Sequence, residues 1–239
     1  MTDLVATARS LFAPGKGILA ADESVQTATK RLASYGIPTA EEMRRQFRDL
    51  LLNAEGIEQY LSGVILFSET LVQKGNDKNP FPLSLLARNI MPGVKVDLGT
   101  EPMSESPDEF ITQGLLDLSE RLAAYKKQGA LFTKWRAVIR IDGDMLPTPA
   151  TLHENAKRLA SYAKEVQMAG LVPIIEPEVL LAGKHSRARS RAVITETLLT
   201  VFSVLEEHSV DRASIILKTA MALSGSESGK NDTPEEVAE

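Results

Sequence analysis

The chain has no cysteine, one tryptophan and three histidines among its 239 residues. Without cysteine there is no disulfide and no thiolate metal site, a composition that fits a reducing cytoplasm. His153, His185 and His208 stand far apart and form no H-x-x-H or H-E-x-x-H spacing, so the pattern of a catalytic zinc is missing and no metal is expected. No apolar stretch approaches the roughly 18 residues that span a bilayer. The start, Met1-Thr2-Asp3-Leu4, lacks the basic segment and apolar core of a leader. A net charge of −5 provides no attraction to nucleic acid or to an anionic membrane surface. What is present is the ordinary mixture of a soluble globular protein, 43% hydrophobic and 25% charged, read as a single domain over residues 1–239.

Six apolar runs rich in Val, Ile and Leu recur along the chain: Gly17–Ala21, Gly63–Phe67, Val94–Asp97, Trp135–Ile139, Leu171–Ile175 and Ile215–Leu217. Amphipathic stretches separate them. Thr39 with Glu42, and Thr151 with Glu154, have the spacing of capping boxes. Leu115, Leu118, Leu122 and Tyr125 form a helical stripe closed by Gly129, Gly170 marks a helix stop, and a long helix is expected from about Ala188 to His208. Alternation of strand and helix without hairpin signals predicts a parallel sheet. A nucleotide-binding open sheet carries a glycine-rich loop after its first strand, whereas here that strand runs into Asp22-Glu23-Ser24. The expected fold is therefore α/β, a (β/α)8 TIM barrel. Eight units of roughly 30 residues need about 250, so about six are expected in this chain. The closing Thr233-Pro234-Glu235-Glu236-Val237-Ala238-Glu239 reads as the start of a further helix, and the barrel is expected to be incomplete at its C-terminal side.

Lys218 ends the run Ser214-Ile215-Ile216-Leu217. A lysine at a strand end ordinarily snorkels into water, but a desolvated one loses its proton more easily and can attack a carbonyl to form a Schiff base. Residues i and i+2 of a strand share a face, and four strand ends carry polar pairs at that spacing: Asp22 with Ser24, Lys95 with Asp97, Lys134 with Arg136, and Glu176 with Glu178. Converging on the C-terminal rim of a parallel barrel, they supply an amine, carboxylates and cations, a set suited to carbonyl chemistry on an anionic substrate. Lys134 precedes most of the apolar residues of its strand, so it reaches that rim only if the strand begins near Leu131.

Longer motifs sharpen this. GKGILAADES from Gly15, FSETLVQK from Phe67, GVKVDLG from Gly93, QGLLDLSER from Gln113, KWR at Lys134, VPIIEPEVL from Val172 and IILK ending at Lys218 follow one another in order. Together they resemble class I fructose-bisphosphate aldolase, from about residue 10 to the last residue. The resemblance implies reversible cleavage of fructose 1,6-bisphosphate into dihydroxyacetone phosphate and glyceraldehyde 3-phosphate, through a lysine Schiff base. It implies no metal or other cofactor, a sugar phosphate as small-molecule partner, a homo-oligomer (a tetramer in the family) and a cytoplasmic location.

Carried over motif by motif, the resemblance makes Lys218 the Schiff-base former, Glu176 the acid/base of imine formation, and Glu178 its supporting carboxylate. Asp22 matches the group at the C4 hydroxyl, Lys134 a cation of the catalytic cluster, and Arg136 a group beside the substrate. Lys95, Ser24 and Thr27 match contacts to one phosphate, and Arg31 and Arg44 match basic residues near the phosphate region. Lys134 is expected to lower the pKa of Lys218, and a carboxylate near Glu176 to raise that of Glu176.

The family pattern differs from this chain in two places. Thr219-Ala220-Met221 follows the lysine where many relatives have proline. The seventh and eighth strands, with the glycine-serine loop and arginine that hold the second phosphate, and the tyrosine of the tail, are not found. An inactive fragment that retains sugar-phosphate binding is thus an alternative. A retaining glycosidase using Glu176 with Asp22 or Glu178 is another, but it leaves the lysines idle and its two carboxylates too close in sequence to oppose each other.

Overall fold

The structure is a computed structural model that describes residues 3–238; the reading of Met1-Thr2 and the last position of the closing helix, Glu239, lie outside them. In chain order the elements are α1 (Leu4–Ser10), β1 (Gly17–Ala21), α2 (Val25–Ser34), α3 (Glu41–Leu52), β2 (Leu61–Leu66), α4 (Ser68–Leu71), α5 (Phe81–Ala87) and β3 (Met91–Lys95). There follow β4 (Thr100–Met103), β5 (Ser106–Thr112), α6 (Leu118–Lys127), β6 (Phe132–Ile139), α7 (Pro149–Met168), β7 (Val172–Val179), α8 (Arg187–Glu207), β8 (Ile216–Leu217) and α9 (Pro234–Ala238).

Six strands pair in parallel in the order β1-β2-β3-β6-β7-β8. The sheet curls, because residues of both edge strands, Ile18 and Ala20 of β1 and Ile216 and Leu217 of β8, line one apolar cleft of about 330 Å³. The fold is thus a curled half-barrel of six parallel strands with helices between most of them, close to what the alternation of apolar runs implies.

Side-chain alternation divides each strand between two cores. The outward residues, including Val64, Leu66, Trp135, Ala137 and Ile175, pack beneath the helices with Leu122, Leu159, Tyr162 and Val201. The inward residues Ile65, Phe132, Val172, Ile174 and Ile216 meet Ala8 and Leu11 at the N-terminal end of the sheet. Glycine is required at that inner layer: a Cβ on Gly93 would stand 2.2 Å from the Phe132 ring, and one on Gly63 would stand 2.6 Å from Leu11. Phe132 thereby fills the floor, and the next inward residues of its strand are Lys134, Arg136 and Val138. β6 does begin next to Leu131, so Lys134 reaches the rim side of the floor.

Helix ends differ from the sequence reading in two places. α3 starts after Ala40, which makes no side-chain cap, and Glu42 instead accepts hydrogen bonds from Arg45 and Gln46. α7 is capped three residues earlier than expected, by Thr148 with Pro149 at the first helical position. Thr151 is buried within the helix and donates to the buried Glu109 at 2.8 Å. At α9 the Thr233 signal is realised: its hydroxyl accepts from Glu236 N at 3.3 Å while its own N–H donates to the Glu236 carboxylate at 2.8 Å.

A hairpin also breaks the expected strand-helix alternation, since β4 and β5 pair antiparallel between β3 and α6. Pro102 and Pro107 within those segments hide it from pattern reading.

Candidate active site

Parallel strands deliver their last residues to one rim, and there the chain forms a cavity of about 650 Å³. Asp22 and Ser24 enter it just after β1, Lys95 from the last position of β3, Lys134 and Arg136 from β6, and Glu176 from β7. The first turn of α2, with Ser24 as its N-cap, closes one side. The β3–β4 turn, with Asp97, Leu98, Gly99 and Thr100, closes another.

Four charges of alternating sign run across this rim. Lys134 Nζ stands 2.6 Å from Asp22 Oδ2 and 2.9 Å from Glu176 Oε2, and Lys218 Nζ donates to Glu176 Oε1. Asp22, Lys134 and Glu176 are all buried. Lys218 is not: its side chain is 45% exposed, and it lines the apolar cleft of the sheet edges rather than the cavity, meeting the cavity wall through Glu176. Lys218 is thus less desolvated than expected, because among the described residues β8 pairs on one side only, with β7.

The ordinary carboxylate and amine pKa values move accordingly. Burial pushes Glu176 up, but the charge of Lys134 and hydrogen bonds from both lysines outweigh it, and its carboxyl lies below the ordinary value. That reverses the expected rise: the groups nearest Glu176 are cations, since Glu178 points its carboxylate at Arg136. Burial likewise works against the charge of Lys134, yet Asp22 and Glu176 hold its ammonium above the ordinary value.

The remaining candidates divide into two groups. Lys95 lines the cavity with its ammonium on Asp97 Oδ1, and Arg136 lines it with its Nε on Glu178. Ser24 and Thr27 face the same space from α2; their hydroxyls share a hydrogen bond at 3.1 Å, and Thr27 N donates to Ser24 Oγ at 3.2 Å. Arg31 and Arg44 are not brought to the cavity wall. Arg31 pairs with Glu23, and Arg44 makes a two-pronged contact with Glu69 at 2.6 and 3.1 Å.

One further residue at the site, Arg48, carries no signal at the sequence level. The buried Arg48 clamps Glu23 through both its carboxylate and its main-chain oxygen, at 2.9 Å for the latter, and so fixes the turn between Asp22 and Ser24. Asp97 binds Lys95 and also accepts from the main-chain N–H of Arg136 at 3.2 Å. Among the described residues no group of three or more His, Asp or Glu side chains is placed to hold a metal ion. The arrangement offers an accessible amine next to a carboxylate, a buried cation behind that carboxylate, and a second carboxylate beyond it.

Known proteins of this kind are numerous. A family model for class I fructose-bisphosphate aldolase, of the glycolytic type, matches residues 3–239. A probable fructose-bisphosphate aldolase class 1 of Xanthomonas axonopodis is 44% identical over 236 residues, covering 99% of this chain and 70% of the relative. Cytosolic fructose-bisphosphate aldolase 6 of Arabidopsis thaliana is 45% identical, covering 99% of this chain and 66% of the relative. The solved structure of fructose-bisphosphate aldolase from Plasmodium falciparum superposes with a TM-score of 0.95 at 42% identity, over 98% of this chain and 68% of that one. Among the described residues no helix is long and apolar enough to cross a membrane.

Proposed function

We propose a residue-level mechanism from one premise: the chain belongs to the class I fructose-bisphosphate aldolase family and is a fructose-bisphosphate aldolase, a carbon–carbon lyase. The substrate is open-chain fructose 1,6-bisphosphate. Its C2 carbonyl is attacked by Lys218 Nζ, and loss of water leaves a protonated imine. That imine draws electrons from the bond between C3 and C4, which breaks as the C4 hydroxyl gives up its proton. Glyceraldehyde 3-phosphate departs, and protonation of the remaining enamine followed by hydrolysis releases dihydroxyacetone phosphate.

Glu176 serves Lys218 directly, taking the ammonium proton and returning one to the departing hydroxyl of the carbinolamine. Asp22 receives the C4 hydroxyl proton. Lys134 holds both carboxylates ready, compensating charge that would otherwise be costly to bury. Arg136, supported by Glu178, faces the substrate, and Lys95, Ser24 and Thr27 receive one phosphate at the first turn of α2. The single observation that carries this reading is the unbroken Asp22–Lys134–Glu176–Lys218 alternation across the inner face of the sheet.

A cytoplasmic location and a homo-oligomeric state belong to the same proposal; the cysteine-free composition supports the first and the family resemblance supports both. The test is cleavage of fructose 1,6-bisphosphate with a metal chelator present. Activity in the unaltered chain that Lys218→Arg abolishes is the expected outcome. Activity that survives Lys218→Arg would overturn the mechanism, and light scattering reads the assembly.

A further inference from the structure

The main chain of Arg136 is held in an unusual way. In a regular parallel ladder each strand donates and accepts alternately with its neighbour. Between β3 and β6 that alternation proceeds as far as Val96 N, which donates to Lys134 O at 3.0 Å. Its continuation would send Arg136 N–H to Val96 O and Leu98 N–H to Arg136 O. Neither bond forms among the described residues. Val96 O accepts from Arg121 Nη1 at 2.8 Å, and Leu98 N–H donates to Gln113 O at 2.9 Å, because the backbone after Lys95 turns away into the β4–β5 hairpin.

Two side chains replace the missing bonds. Asp97 Oδ2 accepts from Arg136 N–H at 3.2 Å, and Thr112 Oγ1 donates to Arg136 C=O at 2.9 Å. Both are buried, Asp97 at 6% exposure and Thr112 at 0%. An unpaired N–H or C=O at this depth is costly, so the strand could not continue past Lys134 beside a departing neighbour without such substitutes. Asp97 also carries its other oxygen to the Lys95 ammonium.

We propose that Asp97 and Thr112 form a side-chain socket for the Arg136 peptide, and that they are positioning residues which set Arg136 and Lys95 relative to one another across the cavity. Arg136 Cα is pinned from the β3 side by two side chains rather than by strand backbone, while the alternate residues Trp135 and Ala137 pair with β7. The hairpin can thus leave the sheet, forming a cavity wall, without loosening the arginine beside it. The link to substrate rests on the function proposed above; the socket itself does not.

The experiment is amide hydrogen exchange on the full chain, followed by steady-state kinetics. Asp97→Ala should accelerate exchange at the Arg136 N–H by about tenfold or more, with Trp135 unchanged, while Asp97→Asn, which keeps an oxygen acceptor, leaves exchange near that of the unaltered chain. For fructose 1,6-bisphosphate, Thr112→Val should raise KM by about fivefold with kcat within about twofold, and Thr112→Ser should restore KM. Unchanged Arg136 exchange in Asp97→Ala would overturn the socket. A fall in kcat at constant KM, not restored by Thr112→Ser, would overturn the positioning role. Should Asp97→Ala fail to fold, Asp97→Leu, which fills the buried volume without supplying an acceptor, decides the socket in its place. If the unaltered chain cleaves no substrate, the exchange result still decides the socket, and the failure belongs to the reading of the reaction.

Discussion

Lys134 Nζ lies 2.9 Å from Glu176 Oε2 although the two residues are not register partners. In the β6–β7 ladder Lys134 stands opposite Ile174, and Glu176 stands opposite Arg136. The long lysine side chain therefore reaches one step up the inner face, above the Phe132 floor, and places its ammonium between Glu176 and Asp22. That diagonal lets two carboxylates be buried on one face of a sheet.

Removing the cation should leave both carboxylates stranded. Breaking a buried pair by deleting one partner typically costs about 3–5 kcal/mol. Lys134→Met is expected to lower stability by that order, read from the urea midpoint at neutral pH, and to lose activity with it. A variant as stable as the unaltered chain would mean that solvent already screens the cluster.

Acid should act through Glu176. Its carboxyl lies below the ordinary value of 4.5 because the lysines outweigh burial. A carboxylate held low in the folded state contributes stability that is fully present above that ordinary value and is lost as pH falls through the lower folded value. The urea midpoint is therefore expected to fall from about pH 4.5 downward, and Glu176→Gln should flatten that part of the curve. Identical acid profiles for the two proteins would contradict the pairing.

Catalysis should be more sensitive than folding to the same change. Loss of a positioned acid/base typically slows a reaction about 10²–10⁴-fold. Single-turnover measurement on Glu176→Gln is expected to show a drop of that size in imine formation. A drop confined to product release would move Glu176 out of the step assigned to it.

The floor under the site is testable by shape alone. Gly93→Ala places a Cβ 2.2 Å from the Phe132 ring, and overpacking of this kind costs about 1–3 kcal/mol. The melting temperature should fall, and Phe132→Leu in the same chain should recover part of the loss, the signature of coupled neighbours. Strictly additive losses would show that the glycine is tolerated for another reason.

The strands and rim of this fold were legible because most of the parallel strands are short apolar runs with a charged residue in or just after them, as at Leu217-Lys218 and Ile175-Glu176. Long motifs then assigned the roles. The hairpin was not legible, since proline interrupts both segments and only pairing reveals them. Nor was the cap of α3: Thr39 and Glu42 have the right spacing, but Arg45 and Gln46 take the glutamate. The exposure of Lys218 follows from β8 being an edge, a property of strand order rather than of local sequence. Asp97 is legible as a polar residue two places from Lys95. Its bond to the Arg136 peptide depends on where the β3–β6 ladder ends, which no spacing records.

The central claim is that Lys218 forms the covalent bond. Folded chain incubated with dihydroxyacetone phosphate and then reduced with borohydride should carry one stable adduct, located by peptide mass spectrometry on Lys218. A well-folded sample that cleaves substrate yet leaves Lys218 unmodified, or carries the adduct on Lys134, would contradict the account.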